Sequence, residues 1–315
     1  MALVHIDIEL LRRLVRATTY LFASLLPLAL AVWLVRVAPT PGPAAAPRPI
    51  TMTTIVVPSV AVLEAVFDQQ GYRWPPLEPV PTIALAAIPE DIEALEPAAR
   101  KAAFLRMLLP IVLAENELLR AERRFLEETF AKGALDAAIE PGRSVAGLAR
   151  RYRVAGDLDD PEMREVLLRR VDEVPVALVL AQAANESGWG TSRFAREANN
   201  LFGIWTWDSD EGVVPERRRA GQRHRVRVYA DLRASVHSYL RNLNVGHAYT
   251  ELRKQRAARR AAGQPLDAKL LADALGAYSE RGAVYVAEIQ QMIEANSLDA
   301  LDGAALQVAT TRLRP

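Results

Sequence analysis

The sequence predicts an α+β fold that is mainly α, and three observations carry the prediction. Pro175 is followed by Val176, Leu178, Val179, Leu180, Ala183 and Ala184, which run nearly all round a helix, as in one buried inside a domain. From Glu90 to Lys132 apolar residues recur at intervals near 3.6, the mark of a long packed helix. After Trp207 the pattern turns to short alternating runs punctuated by Gly212, Pro215 and Gly221, which reads as a small β-hairpin lobe.

At 315 residues, 50% hydrophobic and with formal net charge +1, the chain holds one sizeable domain plus appendages. So small a net charge argues against a general nucleic-acid binder. Cysteine is absent, which excludes disulfides and thiolate metal sites. His5, His224, His237 and His247 form no pair at metal-ligand spacing on a helical face, so no metal is expected, and nothing implies a cofactor.

Taken in order, Arg12, Arg13 and Arg16 precede an uncharged run from Ala17 to Val35. At 1.5 Å per residue that run spans roughly 28 Å, enough for the hydrocarbon core of a bilayer. The basic flank favours a cytoplasmic N-terminus, with Tyr20 and Trp33 as interfacial anchors. An uncleaved anchor is the preferred reading, and a signal peptide cleaved near Ala44 to Ala46 the rival. Ala38 to Pro49 is proline-rich and reads as an extended stalk. The stretch from Thr53 to Tyr72 mixes β-branched runs with helical spacing and stays open, and the chain continues irregularly to Pro89.

The helix expected from Glu90 to Lys132 buries Phe104, Leu108, Val112, Leu118, Leu119, Phe125 and Leu126 and is kinked at Pro110. Glu117 with Arg120, and Arg123 and Arg124 with Glu127 and Glu128, form a solvated face of helical ion pairs. Ser144 to Asp160 reads as a short helix and turn. Asp160 is an N-cap, with Pro161 at the first helical position of a helix running to about Val171.

Glu186 is the one carboxylate in the helix that begins at Pro175. Gly188 ends that helix in a left-handed conformation, which places Glu186 in its last turn with Trp189 just beyond. The indole and the helix C-terminus both disfavour the carboxylate, so Glu186 is a candidate general acid near neutral pH. Beyond Asn199 and Asn200, Phe202, Ile204 and Trp205 are expected to be buried, and Gly203 marks a close approach of backbone or ligand. In the lobe, Arg223, Arg225, Arg227 and Tyr229 share one strand face, and His224, Val226 and Val228 the other.

The stretch AQAANESGWGTSRFAREANNLFGIW (181–205) resembles the signature of the bacterial N-acetylglucosaminidases of glycoside hydrolase family 73, in particular their Bax-type branch. The likeness continues through Val228 and Tyr229, SVHSYLRNLN (235–244) and AYSERGAVYVAEIQQMIEANS (277–297). It implies a lysozyme-like helical domain that cleaves the glycan strands of peptidoglycan, with Glu186 as general acid. Tyr278 matches the family's active-site tyrosine, a hydrogen-bond donor for developing charge. Where Bax-type proteins carry an acid, this chain has Arg225, so a second carboxylate would come from Asp208, Asp210, Glu211 or Glu216, with Glu211 preferred. Trp189, Asn200, Phe202, Trp207 and Tyr285 are expected to line the substrate groove, although Tyr285 and Phe202 also suit packing.

The resulting division is a cytoplasmic stub and transmembrane anchor (1–37), a proline-rich linker and irregular segment (38–89), a helical extension (90–143), a glucosaminidase domain (144–298) and a weakly ordered tail (299–315). The resemblance implies an endo-β-N-acetylglucosaminidase held in the bacterial inner membrane by one helix, facing the periplasm, with peptidoglycan as partner. A lytic transglycosylase and a catalytically inactive wall-binding scaffold are the alternatives.

Overall fold

The computed structural model describes residues 49–133, 144–208, 212–214 and 223–307. The expected anchor and stalk therefore lie outside the described residues, as do Asp210, Glu211 and Glu216. Among the described residues no helix is long and apolar enough to cross a membrane. The architecture is mainly helical with two small sheets.

The segment the sequence leaves open resolves into strand β1 (Thr53–Ile55) and helix α1 (Val60–Gln69). Ser59 caps α1 by accepting from the Val62 N–H. β1 pairs in parallel with β2 (Ile83–Leu85), all of whose side chains are buried. Helix α2 (Pro97–Lys132) has proline at its start and left-handed Gly133 at its end, and it continues through Pro110.

Helix α2, expected as an extension packed on the enzyme domain, packs along it as a wall of the core. The apolar positions named above are buried, and so, among its charged or polar side chains, are Arg106, Glu115, Asn116 and Glu122. Each is held by another element. Glu115 takes Arg233 Nε at 2.6 Å and His237 Nδ1 at 2.8 Å, and Asn116 Nδ2 donates to the Val174 carbonyl at 2.7 Å. Burial pushes the Glu115 carboxyl up, but His237 and Arg233 outweigh it and hold it below its ordinary value.

Helices α3 (Val145–Arg151) and α4 (Pro161–Arg170) follow, capped by Ser144 and Asp160. α5 (Val176–Ser187) is the central helix, with Leu178, Val179 and Leu180 fully buried. Truncating such a leucine to alanine costs about 2–5 kcal/mol. Short α6 (Arg193–Glu197) leads to the lobe, where β3 (Trp205–Thr206), β4 (Gly212–Val213) and β5 (Arg225–Arg227) form an antiparallel sheet in the order β3-β5-β4.

The chain then returns through α7 (Leu232–Val245), α8 (Thr250–Ala261), α9 (Ala268–Ala272) and α10 (Ala283–Ala295). α5 packs against α2, α9, α10 and the turn Leu298–Leu301. That last contact is made at the start of the segment expected as a tail (299–315), of which residues 299–307 are described. Leu298 and Leu301 are buried, Leu306 bridges to Val80, and Asp302 Oδ1 accepts from the Ala177 N–H at 2.9 Å, capping the start of α5.

Candidate functional site at the end of the central helix

Gly188, at φ +57° and ψ +46°, ends α5 in the left-handed region, and Glu186 stands half-buried in the last turn before it. Its Oε1 takes Asn185 Nδ2 at 3.4 Å. Its other oxygen, Oε2, faces Gly203: a Cβ added there would stand 3.9 Å away, and Gly203 holds φ +65°. The close backbone approach expected at Gly203 is thus an approach to Glu186.

Burial pushes the Glu186 carboxyl above its ordinary value. Tyr285, Asn185 and Arg281 pull it down, and Glu288 pushes it further up. Arg281 Nη1 holds Glu288 Oε1 at 2.6 Å, so this charged pair acts on Glu186 with opposite signs.

Aromatic rings cluster around the carboxyl. Tyr278 stacks on Tyr285 with centroids 5.5 Å apart, and Tyr249 and Tyr239 meet Tyr278 at 6.0 and 6.5 Å. Phe202 stacks on Tyr239 at 3.9 Å. The Tyr278 hydroxyl donates to the Phe202 carbonyl at 2.9 Å. Its proton is therefore committed, and it can donate to developing charge only by leaving that carbonyl.

Three other expected groove residues serve the scaffold in this structure. Asn200 is 2% exposed and its amide is saturated, with Nδ2 donating to Ile204 and Arg227 carbonyls and Oδ1 accepting from the Ile204 N–H. It clamps the lobe instead of offering bonds to a sugar. The Phe202 ring is 2% exposed and Tyr285 is fully buried, so neither ring presents a face to solvent.

Trp189 adopts φ +59° and packs edge-on against Phe104 of α2 at 5.9 Å, with Lys101 Nζ 5.0 Å from its ring centre. The lobe exposes the aromatic surface. Trp207 is 75% exposed, and Trp205, expected in the core, is 52% exposed and stacks on His224. Two-residue β3 ends at Thr206, which turns inward while its neighbours face outward. Asp208 is exposed beside them, and Arg225 Nη1 donates to the Gly212 carbonyl at 3.1 Å, holding β4.

Sequence reasoning missed Gln182 and the Arg281–Glu288 pair. Gln182 lies four residues before Glu186, one turn back on the same helix face, and that spacing is the signal that could have found it.

The site is thus a half-buried acid at a left-handed helix end of a mainly helical domain, near Gly203 at the entry to the small β lobe. Residues 166–298 match the family model described as glucosaminidase, mannosyl-glycoprotein endo-beta-N-acetylglucosaminidase, so this part of the chain is similar to a glucosaminidase domain. It is 35% identical over 187 residues to Protein bax of Escherichia coli (strain K12), a match covering 59% of this chain and 66% of that protein, just short of two thirds of its length. The crystal structure of the catalytic domain of the autolysin Auto from Listeria monocytogenes aligns at 18% identity and a TM-score of 0.32, over 57% of this chain and 87% of that one.

Proposed function

We propose that the protein is a peptidoglycan hydrolase of lysozyme-like fold, an endo-β-N-acetylglucosaminidase in which Glu186 is the general acid. The observation that carries this reading is Glu186 itself. Its carboxyl is held protonated above its ordinary range by burial, at the end of the central helix of a glucosaminidase domain, with one oxygen turned to the Gly203 opening. In the protonated form it gives its proton to the glycosidic oxygen as the bond to the sugar's C1 breaks. Trp207, exposed on the lobe, offers a ring face for a sugar.

Among the described residues, the carboxylate whose charge is felt at Glu186 is Glu288, which is occupied by Arg281. That favours a substrate-assisted route, in which the sugar's 2-acetamido oxygen attacks C1, over direct use of Glu288 as nucleophile. Glu211 stays the preferred second carboxylate if one is used. Anchorage of the chain by Ala17 to Val35, with the domain in the periplasm, belongs to the same proposal and rests on that run and its arginines.

The test is digestion of purified peptidoglycan with analysis of the product ends. Reducing-end N-acetylglucosamine is expected. A 1,6-anhydromuramyl end would make the protein a lytic transglycosylase, and binding without cleavage would make it a scaffold. A Glu211→Ala variant at full rate would remove the second carboxylate, and recovery of the intact chain in the cytosol would remove the anchor.

A further inference from the structure

Behind Glu186 runs a buried file of polar groups that none of the preceding chemistry uses. Gln182 is fully buried, and its Nε2 donates to the Tyr285 hydroxyl at 2.7 Å. The Tyr239 hydroxyl donates to Gln182 Oε1. The Tyr285 hydroxyl, held by Gln182 one turn before Glu186 on the same face of α5, is also the neighbour that most lowers the Glu186 carboxyl. The four groups come from α5, α7 and α10, and Gln182 and Glu186 share one face of α5.

Donor and acceptor counting gives the file a direction. A tyrosine hydroxyl has one proton, and a carboxamide accepts at one end and donates at the other. With Tyr239 donating to Oε1, the amide must turn Nε2 toward Tyr285. Because Tyr285 accepts there, its own proton is free to point at Glu186. Every group in the file is satisfied when Glu186 is ionised.

When Glu186 is protonated its carboxyl is a weaker acceptor, and the Tyr285 proton would gain from a new one. The Gln182 amide can supply one only by turning over, and Nε2 then faces Tyr239, whose proton loses its sole acceptor in the file. An unsatisfied buried donor is costly. No proton leaves the relay in either state: each hydroxyl keeps its own and turns.

We infer that Gln182 and Tyr239 are positioning residues which, through Tyr285, set the readiness of Glu186 to hold or release its proton. The inference rests on the reading of Glu186 as the acid only for its effect on rate. The relay is a property of the folded chain.

Other groups that act on Glu186 leave this direction unchanged. Arg281 precedes α10 and Glu288 lies in it, Asn185 adjoins Glu186 on α5, and Tyr249 and Tyr278 stand in the ring cluster.

The experiment is a carbon-13 NMR titration of the Glu186 carboxyl in the full chain in detergent, with labelled glutamate and the signal assigned by its loss in Glu186→Gln. Tyr239→Phe keeps the ring stacked on Phe202 and removes only the distant hydroxyl. It frees the amide to turn and should raise the Glu186 midpoint by roughly half a pH unit to one unit, about one hydrogen bond's worth. In a Gln182→Met or a Tyr285→Phe background the same change should move the midpoint by nothing measurable, as coupling through a relay requires. A Tyr239→Phe midpoint equal to that of the wild type overturns the inference, and so does a shift that survives in either background. If the protein proves not to cleave glycan, the titration still decides the relay. If it does cleave, the basic limb of its kcat/KM profile should move up with the midpoint.

Discussion

Helix α5 carries a carboxyl group at each end, and the two are opposite in circumstance yet shifted alike. Asp302 caps the N-terminus, where backbone N–H groups of Val176 and Ala177 favour the carboxylate. Glu186 sits at the C-terminus, where carbonyls disfavour it. Burial nonetheless leads in both. Asp302 is pushed up to about 6, with Asp299 and Asp267 adding to the rise, and Glu186 is raised as well. Desolvation therefore outweighs the helix end in deciding the direction, and the neighbours decide what each carboxyl is for. Asp302 meets backbone N–H groups, whereas Glu186 meets an opening at Gly203.

The same isosteric change at the two ends should separate these roles. Glu186→Gln removes the transferable proton and should lower kcat about 100- to 10,000-fold. Its thermal midpoint at neutral pH should match or exceed that of the wild type, because a carboxyl raised by burial is a liability once ionised. Activity within tenfold of the wild type would mean that the helix end is not the active site. Trp189→Ala, at the same end, should act mainly on stability. It loses an edge-on ring contact and a cation over the indole, together about 1–2 kcal/mol by chemical denaturation. A large loss of kcat with full stability would move Trp189 back into the groove.

Asp302→Ala should cost about 1 kcal/mol, as loss of a cap does, with the pH profile of activity unmoved. The smallest effect is the most specific. Because the folded pKa of Asp302 lies above its unfolded value near 3.8, its contribution is present below pH 4 and is lost as pH rises through about 6. Asp302→Asn keeps an acceptor for the Ala177 N–H and should therefore gain stability at pH 7 but not at pH 4. Asp302 keeps an exposed face, so water screens the effect and the gain should stay under about 1 kcal/mol. Equal stability curves for the two proteins from pH 4 to 7 would show that burial does not control this end.

The C-terminal end of α5 was legible in the sequence and the N-terminal end was not. Gly188 and the all-round apolar run act within a few residues of Glu186, so local rules place the acid in the last turn. The cap from Asp302 reaches Ala177 across 125 positions, and no periodicity announces it. The relay has the same character, since Gln182 meets Tyr285 and Tyr239 from 103 and 57 positions away. Asn200 and Trp205 were misplaced for a related reason. Their burial depends on how a two-residue strand meets β5, and so short a strand carries no pattern to read.

The bridge between Val80 and Leu306 bears on the order in which the chain can fold. Val80 donates to the Ala305 carbonyl at 2.7 Å and accepts from Gln307 at 2.8 Å, joining segments more than two hundred positions apart. The matched family segment ends at 298, so these bonds and the Asp302 cap are made by residues beyond it. Closing so long a loop is slow relative to pairing neighbouring helices. During synthesis α2 and α5 are complete long before residue 302 exists, and the central helix waits with its first turn uncapped. The start of the central helix is thus fastened by a segment made more than a hundred positions after it, and the docking of residues 299–307 follows the synthesis of the helices it closes.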